Sequence, residues 1–118
     1  MARPWPTRLA FRSSDRALHA TFDDGVTVRV PYELLRVESP SAEVQGHAPD
    51  QKKLVTGKEQ VEVTQAEPVG RYAVRLTFSD GHNSGIFSWD LIRDLGENAD
   101  ELMAEYRAKV AEKRMGRG

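Results

Sequence analysis

The chain has 118 residues, no cysteine, and 17 basic against 18 acidic side chains, a net charge of −1. That length supports one domain whose core needs no metal or disulfide staple, and the missing thiols exclude disulfides, thiolate catalysis and cysteine-held zinc or iron–sulfur clusters. The charge is uneven: residues 1–12 carry three arginines and no acid, residues 13–106 nine basic and 17 acidic side chains, and residues 107–118 five basic and one acidic.

Pro4 and Pro6 around Trp5 give an extended lead-in to a strand over Thr7–Arg12, where Leu9 and Phe11 alternate with Arg8, Ala10 and Arg12. Leu18–Phe22 and Val26–Val30 flank Asp23-Asp24-Gly25, a hairpin signal because Asp-Gly tolerates the positive φ of tight turns. Pro31, placed at a first helical position, opens a short helix through Tyr32, Leu34 and Leu35. Residues 38–53 are polar and broken by proline and glycine, which predicts a long loop without structure of its own.

Val61–Gln65 reads as a strand, Pro68-Val69-Gly70 as a turn, and Tyr72–Phe78 as a strand with Tyr72, Val74, Leu76 and Phe78 on one face. Ser79-Asp80-Gly81 turns the chain and Gly85–Ser88 returns it. Ser88 or Asp90 caps a helix holding Leu91, Ile92 and Leu95, with Gly96 as its stop. Leu102, Met103, Tyr106 and Val110 lie at helical spacing in Asn98–Met115, which predicts an amphipathic C-terminal helix. The class is α+β, antiparallel hairpins packed by short helices.

TFDDGVTVRVPYELLR (21–36) aligns with TFSDGHNSGIFSWDLIR (77–93), the second copy carrying one extra residue after its Asp-Gly turn. A structural repeat would set Tyr32 and Trp89 in matching places and a bulge among His82, Asn83 and Ser84.

The chemistry-bearing residues are sparse. His19 is an exposed strand residue, His47 lies in the long loop and His82 at a hairpin tip. His47 and His82 with a carboxylate such as Glu43 or Asp80 would suit a non-haem iron or hard divalent site, though no ligand spacing points to one. Serines are present without a G-x-S-x-G elbow. Thr56-Gly57-Lys58 lacks the upstream glycine of a phosphate loop and reads as a turn. Trp5, Tyr32, Phe87 and Trp89 read as core side chains, since no basic platform accompanies them.

The segments LRVESPSAEVQGH (35–47) and EPVGRYAVRLTFSDGHNSGIFSWDLIRDLG (67–96), with the PYELLR that precedes them, resemble the gamma-butyrobetaine hydroxylase-like N-terminal domain family. The pairing of PVG-x-Y-A-V with DGH-x-S-G-I-[YF]-S-W-D carries the likeness, from about Pro6 to Gly96. By that resemblance the module stands alone in bacteria, precedes the barrel of carnitine-pathway 2-oxoglutarate dioxygenases, and is attached to ATP-dependent iron–sulfur cluster carriers. In the dioxygenases it holds zinc through a C-x-C-x-x-C run and the histidine of the Asp-Gly-His turn. Carried over, those ligands fall on Ser39, Ser41, Val44 and His82, so only His82 survives, and a serine hydroxyl is a poor substitute for thiolate.

The resemblance divides the chain into a module at 1–96 and a C-terminal helix with basic tail at 97–118. It implies a non-catalytic accessory or interaction module near iron–sulfur or metalloenzyme maturation. The expected interaction surface is Ser39, Ser41, Glu43, His47, Asp80, His82 and Trp89. No cofactor is expected; zinc or iron held by His82 and His47 is the alternative, a metal-binding protein or metalloenzyme. A protein partner is expected, and neither nucleic acid, because the body is acidic, nor a membrane, because no run nears the ~18 apolar residues of a span. The chain is expected to be a monomer or a weak homo-oligomer. MARPWPTRLAF lacks the apolar stretch of a secretory signal, so a cytoplasmic protein is expected.

Overall fold

Alternating apolar residues and two Asp-Gly turns fold the chain into two three-stranded antiparallel sheets. The structure, a computed structural model, describes residues 4–46 and 48–116. The first sheet is β1 (Pro6–Arg12), β2 (Ala17–Phe22) and β3 (Thr27–Pro31); the second is β4 (Val63–Val69), β5 (Ala73–Phe78) and β6 (Ile86–Ser88). Helix α1 (Tyr32–Val37) follows β3 directly and α3 (Trp89–Glu97) follows β6; α2 (Ala42–Gln45) lies between the halves and α4 (Ala99–Met115) ends the fold. This is the expected α+β arrangement.

The near-repeat in the sequence is structural. Gly25 donates its N–H to Phe22 O at 3.0 Å, and Gly81 donates to Phe78 O at 2.9 Å. Tyr32 donates to Arg16 O at 2.8 Å, and Trp89, at the matching start of α3, to Tyr72 O at 3.0 Å. Thr7 and Thr64 each donate a hydroxyl to the opposite strand, at Thr21 O and Thr77 O, both at 3.2 Å. The duplication therefore reaches back to β1 and β4, whose sequences do not advertise it. Both strands also shift register at the same place, between Pro6 and Arg8 and between Val63 and Gln65. The extra residue of the second copy lies between His82 and Gly85, outside the ladder, and β6 is left with three residues against five in β3.

Matching positions fill one shared core: Leu18 with Val74, Ala20 with Leu76, Phe22 with Phe78, and Leu35 with Ile92 are all buried in it. Apolar area removed from water at about 25 cal/mol per Å² is the main stabilising term for such a core. Helix α4 joins it through buried Ala99, Met103 and Tyr106, with Leu102 and Val110 packed partly buried against it. The Tyr106 hydroxyl donates to Val55 O at 2.7 Å, while residues from Ala111 to Gly116 are exposed.

Several expectations are corrected. Pro31 is the residue before α1, not its first turn, because it still closes the ladder opposite Ala17. Residues 38–53 are not structureless: α2 and a 3-10 turn at Pro49–Gln51 form there. The second sheet's first strand starts later than expected and runs through Pro68, which an edge strand tolerates because its free N–H side needs no partner. The turn consequently moves to Gly70 (φ 59°), Arg71 and Tyr72, and Tyr72 is thrown out to solvent instead of lining the core. Gly96 does not stop α3. It sits inside the helix against Val28, whose side chain occupies the space a Cβ would take.

Candidate functional site

The expected surface splits into two places. Ser39, Ser41, Glu43, Asp80 and His82 gather where α2 meets the Asp80-Gly81 turn. Trp89 lies at the opposite end of the β5–β6 hairpin, beside the Ala73–Ser88 pair. His47 lies outside the described residues.

Ser41 starts α2: its hydroxyl accepts the Glu43 N–H at 3.2 Å, which satisfies a donor the short helix cannot use. The same hydroxyl meets Ser84 Oγ at 2.7 Å. Ser39 lies 3.0 Å from His82 Nε2, and His82 Nδ1 lies 3.2 Å from a Glu43 carboxylate oxygen. A carboxylate only accepts, so Nδ1 is assigned the proton and Nε2 accepts from the Ser39 hydroxyl. Burial pushes the imidazole pKa below its usual value, the Arg36 charge adds to that, and Glu43 and Asp80 oppose it.

Asp80 anchors the turn. Its Oδ1 accepts the His82 N–H at 3.1 Å, and its Oδ2 accepts from Arg36 Nε at 2.8 Å and Lys58 Nζ at 2.6 Å. Burial alone would raise this carboxyl's pKa, but Lys58, the His82 N–H and Arg36 together hold it well below the usual carboxylate range. The Thr56-Gly57-Lys58 turn is thus part of this cluster, a role its sequence did not reveal.

Serine, histidine and glutamate stand in the order of a hydrolase triad, but the nucleophile is sealed. Ser39 is 0 % exposed, His82 is 7 % exposed, and Ser39 Oγ fills the space a Cβ on Gly85 would take. Glu43, Asp80, Asn83 and Ser84 are exposed at the rim, whereas Ser39, Ser41 and His82 are buried beneath it. Nor does the donor set fit zinc. Two hydroxyls already engaged in hydrogen bonds and a valine side chain stand with one imidazole, and Val44 is buried. Among the described residues no group of three or more His, Asp or Glu side chains is placed to hold a metal ion.

The sequence reading missed an exposed aromatic pair. Trp5, expected in the core, is 40 % exposed and lies 5.8 Å from the ring of Tyr72, which is 69 % exposed. The prolines on both sides of Trp5 were a signal, since a residue held in that lead-in lies ahead of the ladder.

The gamma-butyrobetaine hydroxylase-like, N-terminal family model matches residues 9–93. The chain belongs to that family. Among solved structures, one NMR solution structure is 41% identical with a TM-score of 0.82, covering 95% of this chain and 83% of the other. Another is 39% identical with a TM-score of 0.78, covering 93% and 86%. A crystal structure of a DUF971-family protein of unknown function from Acidithiobacillus ferrooxidans is 43% identical with a TM-score of 0.65, covering 77% and 91%. No curated protein matches the chain. Among the described residues no helix is long and apolar enough to cross a membrane.

Proposed function

We propose that this family member is a non-catalytic, cytoplasmic accessory module that works by binding a protein, within iron–sulfur cluster or metalloenzyme maturation. One observation carries the non-catalytic part: the serine–histidine–glutamate cluster is closed over its own nucleophile, with Ser39 fully buried and Gly85 packed against its hydroxyl. A hydroxyl in that position can order α2 and the Asp80 turn, but no substrate carbonyl can reach it. The pathway part rests on the company the family keeps, as accessory segments of oxygenases and iron–sulfur carriers.

Two measurements test the reading. Hydrolysis of p-nitrophenyl acetate by the wild-type chain and by Ser39→Ala is expected to be equal; a loss of activity in the variant would overturn it. Capture from cell extract with a cross-linker is expected to enrich metalloenzymes or cluster-assembly proteins over an unrelated acidic protein of equal size. Indistinguishable capture profiles would sink the pathway assignment. Stoichiometric zinc or iron in protein purified without a His-tag would favour the rival metal-binding reading through His82 and His47.

A further inference from the structure

Residues 52–56 lead away from the Pro49–Gln51 turn as a segment that belongs to no helix or sheet. Two hydrogen bonds fix its course. Lys53 donates its N–H to Val44 O at 2.7 Å, and Val55 O accepts the Tyr106 hydroxyl at 2.7 Å. The second bond draws the segment toward α4 without closing the space between them. A groove of about 240 Å³ remains there. Its floor is apolar: Val37 and Tyr106 are buried, while Leu54 and Leu102 pack half-buried against the core. The Tyr106 hydroxyl is engaged by Val55 O, so that side chain offers the groove its apolar body. A concave apolar floor with a few charged groups at its edge is the usual form of a small-ligand site.

The dimensions limit what fits. The α4 residues along the groove run from Leu102 to Lys109, about 10 Å at ~1.5 Å per residue. A peptide strand advances ~3.3 Å per residue, so no more than about three residues would lie in it. The length suits a small molecule with a short aliphatic chain.

The rim sets the charge of that molecule. Lys52 Nζ lies 2.6 Å from Glu38 Oε1, so these two neutralise each other. Glu105 and Lys109 stand one turn apart on α4, in the order in which a carboxylate and an ammonium offset one another. Lys53 is left. It is exposed, and no carboxylate among the described residues pairs with it. Three ammoniums against two carboxylates leave the groove with one positive charge.

We propose that the groove between residues 52–55 and α4 binds a small monoanion, a free carboxylic acid with a short aliphatic chain. The chain lies along Leu54 and Leu102, and the carboxylate pairs with Lys53.

The test is an NMR titration of the intact, ¹⁵N-labelled chain at neutral pH with hexanoate, hexanol and hexylammonium. Hexanoate is expected to give a saturable shift of the Leu54, Val55 and Leu102 amides. Hexanol binds more weakly, and hexylammonium leaves these amides in place. Lys53→Gln weakens hexanoate about threefold, the size of one exposed ionic contact, and leaves hexanol unchanged, while Lys53→Arg retains both. Leu102→Ala weakens hexanoate and hexanol alike, because it shortens the apolar wall. The Lys53 side chain is exposed, so its variants keep the wild-type fold, which circular dichroism checks. Four results would overturn the proposal: no saturable shift at these amides, an equal response to hexylammonium, an affinity for hexanoate unchanged in Lys53→Gln, or tighter binding at the same amides by a capped Leu-Glu-Leu tripeptide.

Discussion

Arg36, on the helix of the first half, bonds Asp80, in the turn of the second half, at 2.8 Å, and Arg93 of the second half bonds Asp24 of the first at 3.0 Å. Each half reaches across to the Asp-Gly turn of the other, so the halves interlock by a reciprocal contact of the kind that relates two copies in a two-fold dimer. The two bonds differ in setting. The Asp80 side chain is 21 % exposed and also holds Lys58, whereas the Asp24 side chain is 38 % exposed. Asp80→Asn is therefore expected to cost about 1–2 kcal/mol in urea unfolding, and Asp24→Asn less. An Arg36/Asp80 double-mutant cycle should give a coupling energy of about 1 kcal/mol.

Val28 and Gly96 occupy the positions that Gly85 and Ser39 occupy in the other half, with the side chain moved to the opposite partner. In one half the valine fills the space over a helical glycine; in the other the serine fills the space over the glycine just ahead of β6. Gly96→Ala and Gly85→Ala each force a Cβ into an occupied site and are expected to cost about 1–3 kcal/mol. Val28→Ala should recover part of the loss when added to Gly96→Ala, and Ser39→Ala when added to Gly85→Ala. Thermal unfolding of the four single and two double variants checks this.

The buried His82 makes stability depend on pH. Its folded pKa lies below the unfolded value of about 6.5, so the unfolded chain binds the proton more readily and protonation favours unfolding. Stability is expected to fall as pH drops from 7 through 5, and His82→Gln should flatten that decline. Asp80 acts in a lower window. Its folded pKa is depressed, so its contribution is present above about pH 4 and is lost on further acidification. Urea midpoints measured from pH 3 to pH 8 separate the two: Asp80→Asn alters the curve below pH 4, and His82→Gln above pH 5.

The serine cluster also makes a metal prediction. If Ser39, Ser41 and Val44 stand at the family's thiolate positions, Ser39→Cys, Ser41→Cys and Val44→Cys combined with the native His82 complete a Cys₃His set. The triple variant is expected to bind zinc stoichiometrically and to melt at a higher temperature with zinc than with a chelator. Adding His82→Ala should abolish the gain. The wild-type chain should melt at the same temperature with or without zinc.

Local chemistry by itself determined a good deal of this protein. The Asp-Gly turns, the alternation in β2 and β5, and the Ser88 cap, whose hydroxyl accepts the Leu91 N–H at 3.1 Å, are dictated by residues within a few positions of one another. The near-repeat was legible for the same reason, since turn, strand and helix start recur in order. The Ser39–Glu43 and Asp80–Ser84 segments were joined through the family motif rather than through any spacing in this chain. What tertiary structure alone decided is which side chains face inward. Ser39 and His82 are buried because α2 folds onto the second Asp-Gly turn, a contact across 43 positions that no local pattern encodes. Tyr72 was placed on the core face by perfect alternation, and it lies outside because β4 runs on through Pro68 and carries the turn two residues further. The same shift set Trp5 against Tyr72, with ring centroids 5.8 Å apart. Of the composition, the missing cysteines ruled out thiolate chemistry at once, while only the folded chain revealed that hydrogen bonds and close packing now hold the site together.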